Sequence, residues 1–466
     1  ADSKLGWVRK AFATPAAAGL SDPAIQPKFV NPVPDALAPS FKFRPDKNGR
    51  YKIKIGAAVQ QTGLVAPDGV TPVPTPVWGY GDQKDRIFTW PGRTFEVHSG
   101  VPTEVFWQNK LLDEFDQPVP HPITSLSGGS VVDTSLHWAY SLHGYESYSI
   151  EDNGVPIVTH LHGGHSDSPY DGNPEYFFSP GFEVRGPRWT ERKYLYRNDQ
   201  AAGNLWYHDH ALGITRLNVY AGMAGFYFVR DVLDTGKPDN PLGLPAWPYE
   251  KAYAIQDRMF KANGELFYPA YEGDPFWDDF ITGEGATPPI AGGPSALAEF
   301  FGDHIVVNGV IWPKQDVERR HYRLRLLNGT DSRFMVVRFR PVPAGATTLA
   351  DAGAPLPFHV IGGDQGLASS ATQTDLLVFE PGARYDVVID FSQVPMGTRV
   401  ILENLGGDAP FGGDYGDDLA AEDFFADRQT DRILAFDVVL PTSDLSLIHI
   451  SEPTRRACRS RMPSSA

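Results

Sequence analysis

Residues 159–165 read T-H-L-H-G-G-H, and residues 205–210 read L-W-Y-H-D-H. Each stretch contains one His-x-His pair, and the four histidines are His160, His162, His208 and His210. In a β-strand, residues two apart point to the same face, so each pair presents two imidazoles side by side. Burying four imidazoles without a metal would leave many polar atoms to satisfy, so the two pairs predict a metal site. Imidazole suits copper, zinc, iron and nickel, and copper leads the order of divalent affinities.

The residues around the two pairs also fit a metal site. Gly163 and Gly164 would let the backbone turn sharply after the first pair. Residues 205–207 form a bulky apolar approach to the second pair, and a dry shell of that kind controls solvent access to a metal. Asp171 follows the first pair closely. From the residues alone, Asp171 either orients a ligand or a metal-bound water, or merely begins the turn that the next residues imply.

The rest of the chain predicts strands. Short runs of alternating apolar and polar residues occupy positions 51–55, 94–97, 104–107, 322–326, 334–339, 385–391 and 433–439. Such runs are typical of half-buried strands, and long helical periodicity is scarce. Turn-forming residues, 46 Gly and 41 Pro, are spread between them. We therefore expect an all-β protein built from sandwiches.

The length of 466 residues is too great for one ordinary domain. Asp, Pro and Gly concentrate at positions 231–250, which we interpret as a linker between a first domain, 1–230, and a second, 251–444. Strand-like stretches that end at Asn109 and at Asn328 are weakly similar. They are either the same sandwich corner in two copies of one fold or a chance similarity.

The bulk composition limits the partners. A formal net charge of -16 argues against nucleic acid or an anionic membrane surface as a partner. No run of 18 apolar residues occurs, so we expect no membrane span. The single cysteine, Cys458, rules out an intrachain disulfide and a cysteine-rich zinc site. It lies in residues 445–466, a basic, unpatterned segment that we interpret as an artefactual tail, with a genuine disordered tail as the alternative.

Two longer stretches resemble the copper motifs of multicopper oxidases. Residues 160–175, H-L-H-G-G-H-S-D-S-P-Y-D-G-N-P-E, resemble the first motif, and residues 206–225, W-Y-H-D-H-A-L-G-I-T-R-L-N-V-Y-A-G-M-A-G, resemble the second. Both are most similar to the bacterial branch that contains spore-coat laccase, bilirubin oxidase and phenoxazinone synthase. Supporting segments lie at positions 76–82, 132–139, 303–313 and 380–391. The resemblance runs from about residue 27 to about residue 440.

This resemblance implies tandem cupredoxin-like Greek-key β-sandwiches and four coppers. A mononuclear type 1 site takes electrons singly from the substrate, and a trinuclear cluster reduces dioxygen to water. The resemblance implies that His160 binds the type 2 copper of this cluster. It implies that the type 3 pair is bound by His162, His208 and His210. Asp171 holds the position of the family's acidic residue near the cluster, which is thought to assist proton delivery.

The chain also departs from the family pattern. The third domain of these oxidases carries a H-P-x-H-L-H motif and a H-C-H motif, and neither occurs here. A type 1 site needs a Cys thiolate and two His, and Cys458 has no histidine beside it. We therefore expect two sandwiches to be present and the third to be missing. The type 1 site and half of the trinuclear ligands would then be absent, and the chain would be inactive alone.

Three hypotheses of function follow. The first is a laccase-like oxidase, extracellular, periplasmic or in a spore coat. It would couple one-electron oxidation of phenolic or aromatic, tetrapyrrole or metal-ion substrates to the four-electron reduction of O2. The second is a non-catalytic copper-binding or scaffold protein. The third is a mononuclear metalloenzyme of cupin or metallo-hydrolase type. It is disfavoured because Ser166 and Asp167 stand where the cupin pattern needs Glu, and H-L-H-G-G-H lacks the hydrolase Asp.

Overall fold

The computed structural model describes residues 19–83, 87–124, 126, 131, 142–270 and 299–443. Over these residues the chain consists mostly of strands, with two short α-helices, α1 (Ile150–Asn153) and α2 (Thr215–Tyr220). All seven alternating runs lie within strands, apart from one residue at the start of 334–339 and one at the end of 385–391. The all-β prediction is therefore confirmed. The segment 132–139 and the tail 445–466 with Cys458 lie outside the described residues.

The first half of the molecule contains two four-stranded sheets. One sheet consists of β1 (Arg50–Gln60), β2 (Thr75–Asp82), β4 (Thr103–Asn109) and β6 (Lys193–Tyr196). Its order is β2-β1-β4-β6. The other sheet consists of β3 (Gly92–His98), β5 (Thr159–His162), β7 (Gly203–Asp209) and β8 (Ala224–Arg230). Its order is β3-β8-β7-β5.

The second half also contains two sheets. The larger has eight strands, β9 (Glu250–Phe260), β10 (Leu266–Phe267), β11 (His304–Val307), β12 (Val310–Ile311), β14 (His321–Asn328), β16 (Phe358–Gly363), β17 (Gly366–Thr374) and β19 (Arg384–Asp390). The smaller has five, β13 (Lys314–Glu318), β15 (Met335–Val342), β18 (Leu377–Phe379), β20 (Arg399–Asn404) and β21 (Arg432–Leu440). Short 3-10 turns lie at Pro39–Phe41, Ser168–Tyr170, Pro174–Tyr176, Pro180–Phe182, Gly416–Asp418 and Ala421–Asp423.

The two halves repeat one topology. β1 pairs in parallel with β4, as β9 does with β14, and β3 pairs in parallel with β8, as β13 does with β21. The corners at Asn109 and Asn328 match as well. Each amide donates to two backbone carbonyls and accepts the N–H of the residue two positions later. The weak similarity between the stretches that end at Asn109 and Asn328 therefore reflects a structural repeat. The predicted tandem Greek-key sandwiches are confirmed.

β7 is the strand that positions the site. Every residue of β7 is buried, because its two faces pack on different halves of the molecule. Leu205 and Tyr207 join the aromatic core of the first sandwich, where Tyr207 contacts Tyr80 and Phe95 edge-on. Trp206 packs on the opposite face with residues from the second half. The histidine-bearing face of this strand therefore points toward the second half.

Residues 231–249, within the predicted linker, contain no strand. This fits a boundary there, although the domain limits remain predictions. The N-terminal segment that begins at residue 19 also contacts the second half, because Leu20 forms a β-bridge with Lys261 and Pro32 forms one with Lys314. Among the described residues, no helix combines the length and hydropathy that a membrane-spanning segment needs.

Candidate metal centre

Strand register brings the two histidine pairs together. β5 and β7 are antiparallel, and His160 lies directly opposite His208. Residues opposite each other in such a pair project from the same face, so the alternation of each strand adds His162 to that face. His210 follows β7 and continues the ladder, because its N–H donates to the Val158 carbonyl at 2.7 Å. The structure therefore brings together all four histidines that the sequence singles out.

The distances fit a shared metal site. One ring nitrogen each from His160, His162 and His208 lie within 4.8 Å of one another. His162 Nδ1 faces His208 Nε2 at 3.2 Å. The ring centroid of His210 is 4.9 Å from that of His160. The facing ring nitrogens of His162 and His208, 3.2 Å apart, either share a proton or bind a common metal ion.

Backbone carbonyls orient three of the four rings. The Nδ1 atoms lie 2.5 Å from the Asp171 carbonyl for His160, 2.6 Å from the Asp209 carbonyl for His208, and 3.0 Å from the Gly172 carbonyl for His210. A carbonyl can only accept, so each Nδ1 carries the proton and each Nε2 keeps a free lone pair. Metal-binding histidines are oriented by this type of contact. The donor set thus fits a metal that takes imidazole ligands.

The surroundings keep the rings of His162, His208 and His210 neutral. Burial lowers the pKa of His162 to about 4, and the positive charge of Arg384 adds to the effect. Burial also lowers the pKa of His208 far below its usual value and that of His210 to a smaller extent. Neutral imidazole is the form that binds metals. The site can therefore bind a metal near neutral pH without first losing protons from these three rings.

Glycines shape the loop between the two pairs. Gly163 has a φ of 84°, in the left-handed region that favours glycine, so the chain turns sharply after His162 as predicted. Gly172 has a φ of 74°, and a Cβ atom there would lie 2.3 Å from the Thr159 carbonyl oxygen. This close approach brings the Asp171 and Gly172 carbonyls under the histidine rings.

Asp171 shows features of both interpretations that the sequence left open. Its carboxylate Oδ1 lies 3.5 Å from His160 Nδ1, and its side chain is 45% exposed. Its backbone carbonyl makes the shorter contact with the same nitrogen. Asp171 also precedes the turn at Gly172. The backbone therefore orients the ring, while the carboxylate is solvent-accessible beside it.

Sequence reasoning missed Asp209, the residue between the two histidines of the second pair. Strand alternation turns it to the opposite face, where it is fully buried. Its carboxylate accepts the Val158 N–H at 3.1 Å, the Ala211 N–H at 3.1 Å and the Asn218 amide at 3.0 Å. Burial raises its pKa to about 7. The alternation could have placed Asp209 behind the ligands, but its partners are set by the tertiary structure.

The histidines line a cleft of about 370 Å³ between the two halves. Gly329, Asp331 and Pro381 contribute from the second half. Of the three apolar residues predicted to shield the second pair, only Trp206 does so, stacking 5.1 Å from His162 and 4.2 Å from His208. Leu205 and Tyr207 instead point into the core of the first sandwich. Alternation along β7 explains the difference.

His165 is separate from the four ligand candidates. Its side chain is 56% exposed, and its Nδ1 lies 3.3 Å from the Asp199 carboxylate. It does not belong to the group of metal-ligating atoms found among the described residues. This position fits a peripheral role.

Comparisons with known proteins agree with this geometry. No family model matches the chain. Multicopper oxidase LPR1 of Arabidopsis thaliana is 34% identical over 349 residues, which are 75% of this chain and 50% of the relative. The laccase of Bacillus subtilis strain 168 is 32% identical over 382 residues, 82% of this chain and 62% of the relative. The matched region belongs to the multicopper oxidase family. This chain spans between half and 62% of the length of these two relatives.

Solved multicopper oxidase structures share the fold. McoA from Aquifex aeolicus superposes with a TM-score of 0.57 at 18% identity, covering 91% of this chain and 67% of that one. The enzyme from Pediococcus acidilactici gives a TM-score of 0.55 at 21% identity, covering 91% and 63%. At these identities the likeness concerns the fold. The expected all-β multicopper oxidase architecture is thereby confirmed.

Proposed function

We propose that this chain supplies half of the trinuclear copper site of a laccase-like multicopper oxidase. The observation that carries the proposal is the convergence of four histidines on one face of β5 and β7, with three rings oriented by backbone carbonyls. In this assignment His160 binds the type 2 copper. The type 3 pair is bound by His162, His208 and His210. Bound copper supplies the electron transfer and the reduction of O2 to water.

The chain's own residues prepare the site for this chemistry. His160, His208 and His210 present Nε2 to the metal, and His162 presents Nδ1. Trp206 covers one side of the rings and limits access of water. Ligands that are already oriented in a partly dry cleft need little rearrangement when metal binds.

We assign Asp171 to proton delivery. O2 reduction to water consumes four protons, so a carboxylate that reaches both solvent and the site has a direct use. Asp171 is 45% exposed and lies 3.5 Å from the ring of His160. Since the backbone already holds that ring, the carboxylate remains available to bind and release a proton.

The reductant is proposed only as a class. Phenolic or aromatic compounds, tetrapyrroles and reduced metal ions are proposed from the family resemblance, and the formal charge of -16 favours the neutral and cationic ones among them. We expect a further cupredoxin domain to complete the copper ligands and to provide the electron entry site. An extracellular, periplasmic or spore-coat location is proposed from the family resemblance alone.

The test uses the longer protein that we expect to contain this chain. We expect it to consume one O2 for every four one-electron oxidations of a phenol, bilirubin or Fe2+. His208→Asn should abolish O2 consumption and weaken copper binding, measured as quenching of the tryptophan fluorescence, at least about tenfold. His359→Asn, at an exposed histidine of β16, should change neither.

The outcomes separate the hypotheses. Copper binding that depends on His208 but gives no O2 consumption would support the second hypothesis, a non-catalytic copper-binding protein. Copper binding unaffected by His208→Asn would refute the assigned site.

A further inference from the structure

Arg384 connects the second half of the molecule to the histidine-bearing loop of the first. It begins β19 and is only 1% exposed. Its Nε donates to the Asn204 carbonyl of β7 at 2.9 Å. Its Nη2 lies so close to Gly163 that a Cβ atom there would be 2.5 Å away. The guanidinium therefore packs against the residue that directly follows His162.

The second half itself fixes the orientation of this guanidinium. Nη1 donates to the Gly382 carbonyl at 2.9 Å, and Nη2 donates to the Asp364 carbonyl at 3.1 Å. The Asp364 carboxylate accepts the Arg384 N–H at 2.7 Å and lies 3.4 Å from Nη1. A planar group held at three nitrogen atoms cannot rotate freely. It presents a rigid surface to the loop.

The loop is held from its other side as well. Gln200 donates from Nε2 to the Gly163 carbonyl at 2.9 Å and accepts the His165 N–H at 2.8 Å. Gln200 therefore fixes the far side of the turn, while Arg384 fills the near side. Gly382 completes the contact, since a Cβ atom there would lie 3.6 Å from Cε1 of the His162 ring.

His162 has a particular need for such support. The Nδ1 atoms of His160, His208 and His210 each face a backbone carbonyl. The Nδ1 of His162 instead faces His208, the direction in which the metal would bind. Within the described part of the chain no carbonyl contacts this ring nitrogen, so the ring position depends on the turn after it and on the stacked Trp206. The effect of Arg384 on the pKa of His162 agrees with this proximity.

We propose that Arg384 is a positioning residue for His162. By fixing the turn at Gly163, it makes the metal site depend on the second half, although that half donates none of the four histidines. The expected effect on metal binding rests on the proposed copper site. The contact between Arg384 and the loop can be tested without metal.

The variants separate positioning from simple stabilisation. Arg384→Met removes the guanidinium, and Arg384→Lys keeps the charge without the planar fork. Arg399→Met is the matched control, because Arg399 is also buried, at 6% exposure, and pairs with Asp437 at 2.6 Å in another sheet. Both methionine variants should lower the stability of the chain to a similar extent.

The first measurement is hydrogen exchange of the metal-free 466-residue chain, followed in peptides that span residues 161–166. We expect Arg384→Met to speed exchange of the Gly164 and His165 amides several-fold relative to Arg399→Met. Arg384→Lys should give an intermediate rate. Equal rates in the two methionine variants would overturn the proposal, whether or not the chain binds copper.

The second measurement is a Cu2+ titration of the same variants, followed by the electron paramagnetic resonance spectrum of the bound ion. Arg384→Met should weaken binding at least about tenfold and change the spectrum, whereas Arg399→Met should keep both. Failure of the unsubstituted chain to bind copper would count against the proposed function alone. Unchanged copper binding in Arg384→Met would refute the positioning role.

Discussion

The carboxylate of Asp171 and its backbone carbonyl serve the same histidine in different ways. The carbonyl lies 2.5 Å from His160 Nδ1, and the carboxylate oxygen lies 3.5 Å away. Replacing the carboxylate leaves the carbonyl in place, so the ring keeps its orientation. At the scale of single residues, ligand positioning and proton transfer can therefore be separated by mutation.

We predict that Asp171→Asn slows O2 reduction by the longer protein about 100-fold or more, because general acid–base groups contribute about 10²–10⁴-fold. Copper content and thermal stability should stay near those of the parent. Steady-state O2 consumption and metal analysis measure both.

Asp167→Asn is the control, since Asp167 is equally exposed nearby and pairs with Arg197 at 3.1 Å. It should retain activity. A loss of copper in Asp171→Asn would instead show that the carboxylate acts mainly in positioning the ligand.

At the scale of elements, the turn at Gly172, in the connection from β5 to β6, determines whether the carbonyls of residues 171 and 172 reach the histidine rings. Gly172 combines a positive φ with a backbone oxygen 2.3 Å from the position of a Cβ atom. Its own carbonyl orients His210. A side chain here would therefore move the turn away from β5 and withdraw that carbonyl.

We predict that Gly172→Ala weakens Cu2+ binding at least about tenfold, because it displaces the groups that orient two ligands. Gly69→Ala is the matched control. Gly69 has a φ of 75° with no atom within 4 Å of an added Cβ, so only the backbone strain of about 1–2 kcal/mol applies. Cu2+ titration and urea unfolding of both variants measure the two effects. Equal copper affinities would show that the turn has no role in holding the ligands.

At the scale of the whole molecule, a buried network of charged side chains connects the two halves. It joins β8, the predicted linker, β9, β14 and β19, and it consists of Arg230, Asp234, Glu250, Arg323, Arg325 and Asp386. These three buried cations and three buried anions balance, and the part-exposed pair of Glu96 and Lys42 adjoins Arg230. Since the first half supplies Arg230 and the second half supplies Glu250, the network helps hold together the two sides of the cleft.

We predict that Glu250→Gln lowers the free energy of unfolding by about 3–5 kcal/mol, the usual cost of removing one partner from a buried ion pair. Glu250 is fully buried and accepts from Arg230 at 2.9 and 2.8 Å and from Arg325 at 2.9 Å. Glu104→Gln, at a half-buried ion pair with Arg50, should cost about 1 kcal/mol or less. Chemical denaturation compares the two, and equal losses would contradict the prediction.

The same network should make the stability of the fold sensitive to acid. Burial tends to raise the pKa of Glu250, but the neighbouring arginines hold it at about 2, below the ordinary value of 4.5. A lowered carboxyl pKa stabilises the fold above pH 4.5, and this stabilisation is lost as pH falls toward 2. The stability of Glu250→Gln should therefore depend less steeply on pH across this range. A parallel pH profile for parent and variant would exclude this contribution.

The strands and the ligand candidates could be predicted from the sequence because both depend on local spacing. Alternation has a period of two, so a His-x-His pair must share one face of any strand that contains it. The seven alternating runs and the echo that ends at Asn109 and Asn328 follow from the same rule. The copper motifs of the resembled family carried the remaining information about which metal to expect.

Only the tertiary structure decided how these ligands are oriented and supported. Asn204 and Arg384 are 180 positions apart, and Arg230 and Glu250 belong to different sheets. No local period encodes such contacts, so neither the positioning role proposed for Arg384 nor the carbonyl partners of the rings could be inferred from spacing. The sequence by itself determined which side chains can bind metal. The folding of the chain after β5 decided which ring nitrogens of His160 and His210 point into the cleft, because it placed the carbonyls of Asp171 and Gly172 beside the other nitrogens.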